Sequence, residues 1–231
     1  NILETQYDYY PSREAIDFYH RYKEDIRLLA EIGIKALRLS ISWTRIYPTG
    51  EENAPNEDGL RFYEELFTEC RRYGIEPVVT LCHFDVPEAL IRKYGAWADR
   101  RLIALYEKYA ATVFDRYRNL VKYWMTFNEI NMITHIPYLG GGLLVDKEFN
   151  QIVYNAAHNQ LVASACAVRT GKKINPDFRI GCMMAAGSFY PYSCNPNDVM
   201  EARISNNKNY IFPDVQLNGC YSGFARNYFA K

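Results

Sequence analysis

Apolar positions along this chain alternate between two rhythms. One recurs every three or four residues, as on a helix face, and the other fills short continuous runs, as in a buried strand. The first helical stretch carries Ile16, Tyr19, Ile26, Leu29 and Ala30, with Ser12 as a candidate N-terminal cap and Gly33 where a left-handed C-terminal residue belongs. A strand is expected over 34–42. Pro55-Asn56 and the acidic pair Glu57 and Asp58 open a second helix with Leu60, Tyr63, Leu66, Phe67 and Cys70 on its apolar face, closed by Gly74. The next strand falls at 76–83. Asp99 caps a helix bearing Leu102, Ile103, Tyr106, Tyr109, Ala110 and Val113, which leads into a strand at 121–127. Beyond a Gly140-Gly141-Gly142 loop, a long helix runs from about 147 to 174, where Asn175-Pro176 ends it. A strand at 179–185 follows, and 214–231 again suits a helix. Four strands alternating with helices, at spacings long enough for right-handed crossovers, predict parallel βαβ units in an α/β fold. No linker divides them, so residues 1–231 are expected to lie in a single domain.

Strand C-terminal ends are where such folds gather their chemistry. Those ends hold Arg38 to Trp43, then His83, Phe84 and Asp85, then Asn128 and Glu129, then Met184 to Gly187. An imidazole, an amide, a carboxylate, a guanidinium and aromatic rings at one rim suit a sugar: neutral donors and acceptors for hydroxyls, rings for the pyranose face, and a carboxyl for the glycosidic oxygen. A carboxyl beside hydrophobic rings has its charged form disfavoured, which suits general-acid work. The plain structural alternative for Glu129 is a strand-end carboxylate that is hydrated or paired with an arginine. His83 and Asp85 could instead ligate a metal, but no second ligand pair accompanies them and none is expected. His20 and His158 sit in helical stretches and read as packing or surface residues, and nothing singles out His135.

Composition narrows the classes. With 48% hydrophobic and 23% charged residues, the 231-residue chain can bury a large core. Lys+Arg and Asp+Glu number 27 each, so no net field draws it to nucleic acid or an anionic membrane. No apolar run reaches the roughly 20 residues that a membrane span requires. The six cysteines are widely spaced with no CxxC, which reads as reduced thiols and a cytoplasmic location. The 20 tyrosines are first of all core material, although sugar sites use aromatic faces too.

Four ordered segments carry a resemblance: Glu14-Ala15-Ile16-Asp17-Phe18-Tyr19-His20-Arg21-Tyr22-Lys23-Glu24-Asp25, Arg38-Leu39-Ser40-Ile41-Ser42-Trp43-Thr44-Arg45-Ile46, His83-Phe84-Asp85-Val86-Pro87 and Thr126-Phe127-Asn128-Glu129. Together they resemble glycoside hydrolase family 1 over nearly the whole chain. Val121-Lys122-Tyr123-Trp124-Met125-Thr126-Phe127-Asn128-Glu129-Ile130-Asn131-Met132 and Asp214-Val215-Gln216 are most similar to its bacterial 6-phospho-β-glucosidase branch. The resemblance implies a (β/α)8 TIM barrel of which about strands two to five and their helices are present. It implies Glu129 as acid/base, Asn128 binding the hydroxyl next to the reacting carbon, His83 binding another hydroxyl, and Arg38 steadying the nucleophile. Phe84 stands where many relatives have Trp, which weakens one aromatic contact without removing the pocket wall. The substrate would be a small β-glucoside, phosphorylated or plain, with no cofactor.

The family's nucleophile lies in a Glu-Asn-Gly motif that this sequence does not contain; Glu52-Asn53 is followed by Ala54. On the resemblance, that motif, the first strand with its sugar-binding Gln, and the phosphate-binding residues are expected outside these residues. Two readings follow: a portion of a retaining β-glycosidase, or a non-catalytic truncated barrel or sugar-binding fragment. In isolation, such a portion is expected to be inactive and to expose apolar strand faces such as Val78, Val79 and Leu81, unless Asp85 or Glu201 were to serve as the missing carboxylate.

Overall fold

The fold is given by a computed structural model that describes residues 8–11, 14–144 and 150–230. Strands β1 (Ala36–Ser40), β2 (Glu76–Cys82), β3 (Tyr123–Phe127) and β4 (Arg179–Gly181) form one sheet in the order β1-β2-β3-β4, every neighbouring pair parallel. Helix α1 (Phe18–Glu31) precedes β1. Helices α2 (Trp43–Ile46) and α3 (Glu57–Arg72) cross to β2, and α4 (Glu88–Tyr94) and α5 (Arg101–Arg116) cross to β3. The way to β4 runs through α6 (Pro137–Gly141) and α7 (Asn150–Ile174), and α8 (Pro196–Asn218) and α9 (Gly223–Phe229) follow. Strand order that never reverses is the signature of successive barrel units; a doubly wound sheet would change direction at a switch point.

Alternation along the strands sorts the sheet into two faces. Leu39, Val79 and Trp124 share one register, and the helices cover it: Val79 is fully buried and Trp124 meets Phe114 of α5 edge-on. Arg38, Val78, Tyr123 and Arg179 share the opposite register, and there the cover ends, with Val78 half-buried and Tyr123 exposed. The expected exposure of apolar strand faces therefore holds in part for Val78 and fails for Val79 and Leu81, both of which are buried on the helix side.

Local chemistry explains where the helices begin. Asn56 Oδ1 accepts the Asp58 N–H at 3.1 Å to start α3, and all five residues read as its apolar face are buried. Asp99 Oδ1 accepts the Arg101 N–H at 2.8 Å at the start of α5, whose face buries Leu102, Tyr106, Tyr109, Ala110 and Val113, while Ile103 is partly buried. Tyr106 and Tyr109 reach past the helix: Tyr109 donates to the Leu81 carbonyl at 2.8 Å and lies 3.2 Å from that of Ile41, and Tyr106 donates to the carbonyl of Thr126.

Several expectations need correction. In α1 the buried residues are Tyr22 and Ile26, whereas Ile16 precedes the helix and Tyr19 is exposed; Ser12 and the expected start of α7 at Lys147 lie outside the described residues. Strands β1 and β4 are shorter than the apolar runs at 34–42 and 179–185, because pairing with a neighbour, rather than residue type, sets their ends. The single helix expected over 214–231 is two helices broken at Gly219 (φ 70°), and α8 extends back to Pro196. That helix was hidden because its polar run Ser205-Asn206-Asn207-Lys208-Asn209 and internal Pro213 blur any apolar stripe; Asn195 caps it through the Asn197 N–H at 2.9 Å.

The glycine triplet is also not a loop. Gly140 and Gly141 end α6, and a Cβ at Gly140 would meet the Ile133 backbone nitrogen at 2.6 Å. Only a residue without a side chain lets α6 lie against the 3-10 turn Ile130–Thr134 that follows Glu129. Gly140→Ala is expected to cost about 1–3 kcal/mol through overpacking against backbone that cannot yield. Chemical denaturation would measure it, and an unchanged midpoint would refute the close approach.

Candidate active site

The candidate residues converge at the C-terminal ends of β1, β2 and β3. Arg38 comes from β1, and its Nη2 donates to Asn128 Oδ1 at 2.6 Å and to Thr80 Oγ1 at 3.1 Å, with Nε 3.3 Å from the same hydroxyl. Thr80 is fully buried and Asn128 nearly so, which fixes the amide so that its NH2 remains free of the arginine. The Asn128 N–H continues the ladder by donating to the Cys82 carbonyl at 2.8 Å. Arg38 thus joins three strands. Among the described residues no carboxylate hydrogen-bonds it.

His83 lies at the exposed rim just past β2, with Nδ1 3.0 Å from Ser40 Oγ and its ring edge-on to Phe84 at 5.4 Å. Partial burial lowers its pKa, the Arg38 guanidinium lowers it further, and Glu129 opposes both. The ring is therefore held neutral, a donor at one nitrogen and an acceptor at the other, which is what a hydroxyl partner needs. Asp85 turns away from the rim: its Oδ2 accepts the Trp43 N–H at 2.8 Å and its Oδ1 the His83 N–H at 3.2 Å. Burial holds its carboxyl pKa above the ordinary value, and hydrogen bonds from Ser42, Trp43 and His83 pull the other way. Bound to two backbone loops, Asp85 builds the rim rather than facing a ligand. Glu201, the other carboxylate considered, is exposed on α8.

Glu129, two residues past β3 and at the start of the 3-10 turn, is in the left-handed conformation, φ 40° and ψ 56°, and is half-buried. Phe84 occupies the same region with φ 68°. Left-handed backbone in a residue with a Cβ costs roughly 1–2 kcal/mol, so both turns are held by their surroundings. The next residues provide this at Glu129: the Ile130 N–H donates to the Met183 carbonyl at 3.3 Å, and Asn131 bonds to Ala185.

The structure thus brings together Arg38, His83, Phe84, Asn128 and Glu129, and adds three polar residues that sequence reading did not single out: Thr80, Ser40 and Asn131. Ser40 was within reach of sequence, since alternation places it on the same strand face as Arg38. The other histidines are structural partners: His20 Nδ1 lies 2.7 Å from Asp17, His135 Nε2 3.0 Å from Asn209 Oδ1, and His158 Nδ1 2.8 Å from the Tyr221 hydroxyl. Among the described residues no cluster of three His, Cys, Asp or Glu side chains could hold a metal ion, and no helix is long and apolar enough to cross a membrane.

A sequentially ordered parallel sheet with its polar site at the strand C-terminal ends defines part of a (β/α)8 barrel. The family model for glycosyl hydrolase family 1 matches residues 2–231, and the chain belongs to that family. It is 51% identical, over 97% of its length, to the 6-phospho-beta-glucosidase AscB of Escherichia coli (strain K12), of which it covers 48%. It is 53% identical, over 94% of its length, to the aryl-phospho-beta-D-glucosidase BglH of Bacillus subtilis (strain 168), of which it covers 47%. The beta-glucosidase from Thermotoga maritima in complex with glucoimidazole matches 92% of this chain with a TM-score of 0.83 and 34% identity, over 49% of that structure. The chain spans about half the length of the relatives it matches.

The environment of His83 makes a pH prediction. Its folded pKa lies below the unfolded value of about 6.5, so as pH falls the unfolded chain takes up the proton first. The stability associated with neutral His83 is present above that pH and lost as pH falls through the folded value. Between pH 7.5 and 5, the wild type is expected to lose more stability than His83→Gln, as read by urea unfolding. Parallel losses would show that the imidazole is not held neutral.

Proposed function

We propose that this chain is the acid/base-bearing part of a retaining β-glycosidase acting on 6-phospho-β-glucosides. The observation that carries the reading is the Arg38–Asn128–Thr80 bond set beside the left-handed Glu129. It presents an oriented amide and a carboxyl side by side above the sheet, in a chain that shares about half its residues with relatives named phospho-glucosidases. In this scheme Glu129 protonates the glycosidic oxygen while a second carboxylate attacks the anomeric carbon and forms a glycosyl-enzyme. Water then releases the sugar, and Glu129 takes its proton. Asn128 holds the hydroxyl next to the reacting carbon, neutral His83 holds another, Phe84 lines the ring face, and Arg38 steadies the attacking carboxylate while fixing Asn128. That carboxylate would stand about 5–5.5 Å from Glu129, the separation of a retaining pair. It is assigned to barrel units outside these residues. The scheme uses only carboxylates and water. A phosphorylated sugar does not diffuse across a membrane, and free thiols such as buried Cys70 and Cys82 suit a reducing compartment, so the site of action proposed is the cytoplasm.

In the whole protein, Glu129→Gln is expected to slow hydrolysis of 6-phospho-β-glucosides with poor leaving groups by about 10²–10⁴-fold. Activated aryl substrates, which need little protonation, should be slowed far less in the glycosylation step. Steady-state and pre-steady-state rates on both substrate types decide it; equal loss on both would remove Glu129 from the acid role.

Residues 1–231 expressed alone are expected to give no turnover of an activated aryl 6-phospho-β-glucoside, because among the described residues the other rim carboxylate, Asp85, is spent on the Trp43 and His83 N–H groups. They should also lack a sharp melt, since β1 and β4 are open edges and the face bearing Val78 and Tyr123 is uncovered. Hydrolysis above the uncatalysed rate by a cooperatively folded monomer would overturn this and place the attacking role on a carboxylate of this chain. Inactivity of the whole protein as well would favour a sugar-binding, non-catalytic barrel.

A further inference from the structure

The ladder between β3 and β4 stops at the pair Met125 and Gly181, yet the chain beyond Gly181 stays against the end of β3. Two ties hold it there. One is the Ile130 N–H to the Met183 carbonyl, a long bond at 3.3 Å. The other is made by a side chain: Asn131 donates from Nδ2 to the Ala185 carbonyl at 3.1 Å and accepts the Ala185 N–H on Oδ1 at 2.9 Å. Both halves of one amide are thus spent on both backbone groups of one residue, as a strand neighbour would spend them. Asn131 is 1% exposed, so water cannot replace either partner. Of the twenty side chains, a short primary amide alone offers this donor and acceptor at this reach; aspartate keeps the acceptor and sets an anion against the Ala185 carbonyl.

Glu129 sits two residues before this clasp, in a backbone conformation that its own sequence disfavours. On the upstream side the ladder bond from Asn128 to Cys82 holds it. Downstream, the Met132 N–H returns to the Glu129 carbonyl at 2.8 Å and closes the 3-10 turn, but that bond is internal to the turn and cannot anchor it. Downstream anchorage comes from Asn131 and the weaker Ile130 bond, both made to the chain just past β4. We infer that Asn131 is a positioning residue: its clasp on Ala185 holds the Glu129 turn against the chain that follows β4 and so sets the direction of the Glu129 carboxyl.

A second amide supplies the control. Asn206 of α8 makes the same pair with Phe189, accepting its N–H at 2.9 Å and donating to its carbonyl at 2.8 Å. This clasp holds the same loop farther along, with no bond to the Glu129 turn.

The inference rests on Glu129 being the acid, so the test separates the two. Asn131→Ala, Asn131→Asp and Asn206→Ala are made in the whole protein, and amide hydrogen exchange is followed alongside turnover. In Asn131→Ala, exchange at Ile130 and Ala185 is expected to accelerate about tenfold or more, as loss of a buried hydrogen bond implies, with β2 amides unchanged. Asn131→Asp, which loses the donor and keeps the acceptor, should accelerate Ile130 likewise and Ala185 less, and Asn206→Ala should accelerate exchange at Phe189 only. Turnover of poor leaving groups should fall about tenfold in both Asn131 variants, while activated aryl substrates and KM stay within about threefold, a split that general destabilisation would not produce. Unchanged exchange at Ile130, or equal loss on both substrate types, overturns the inference. If the wild type hydrolyses neither substrate, the glycosidase reading fails, and the clasp is judged on exchange alone.

Discussion

The rim depends on two phenols buried under it. Tyr106 and Tyr109 project from one face of α5 and deliver their hydroxyls to carbonyls at the ends of β3 and β2, with that of Ile41 after β1 also in reach of Tyr109. Strand ends are where ladder bonds run out, and a buried carbonyl without a donor costs about 1–3 kcal/mol. A helix that carries those donors therefore locks onto the sheet at one height. Trp43 stacks on Tyr109 at 5.5 Å and stands edge-on to Tyr106 at 5.7 Å, so the turn after β1 is fixed by the same pair. The whole cluster is fully buried, and burial raises both phenols well above their ordinary pKa, which keeps them as donors.

On that foundation the site is assembled from bonds that each span two strands. Arg38 of β1 reaches Thr80 of β2 and Asn128 after β3, Ser40 reaches His83, and Asp85 ties the Trp43 turn to the His83 turn. The carboxylate that could have competed for the rim is consumed in building it. Among the described residues the rim then holds an exposed His83, half-buried Phe84 and Glu129, and the buried Asn128 amide with its NH2 free of the arginine. Phe84 and Glu129 both sit in left-handed turns, strain that a well-bonded sheet end can carry and an isolated loop could not. Rigidity at the strand ends and strain at the presented residues are two sides of one arrangement.

Much of this was legible in the chain. Periodicity located α3, α5, α7 and all four strands, because their apolar faces are continuous and their caps are local. Family motifs at the strand ends located Arg38, His83, Phe84, Asn128 and Glu129, because parallel βαβ units deliver successive strand ends to one side. Helix α8 was not legible: its stability comes from packing on α7 and the turn after Glu129 rather than from an apolar stripe of its own. Nor could sequence tell that Val79 and Leu81 are covered while Val78 is only half so, since all three are equally apolar.

By itself, then, the sequence determined the parallel α/β class, the family and the residues that meet at the rim, all of which follow from local pattern and order along the chain. Tertiary structure alone decided the partners: Arg38 on Asn128 and Thr80, Asp85 on two backbone loops, Asn131 on Ala185. Apart from the local Asp85–His83 bond, those bonds join residues far apart in the chain, and composition or spacing cannot specify which buried donor meets which acceptor. That choice is made when helices and strands pack and each polar group shut off from water takes the partner within reach.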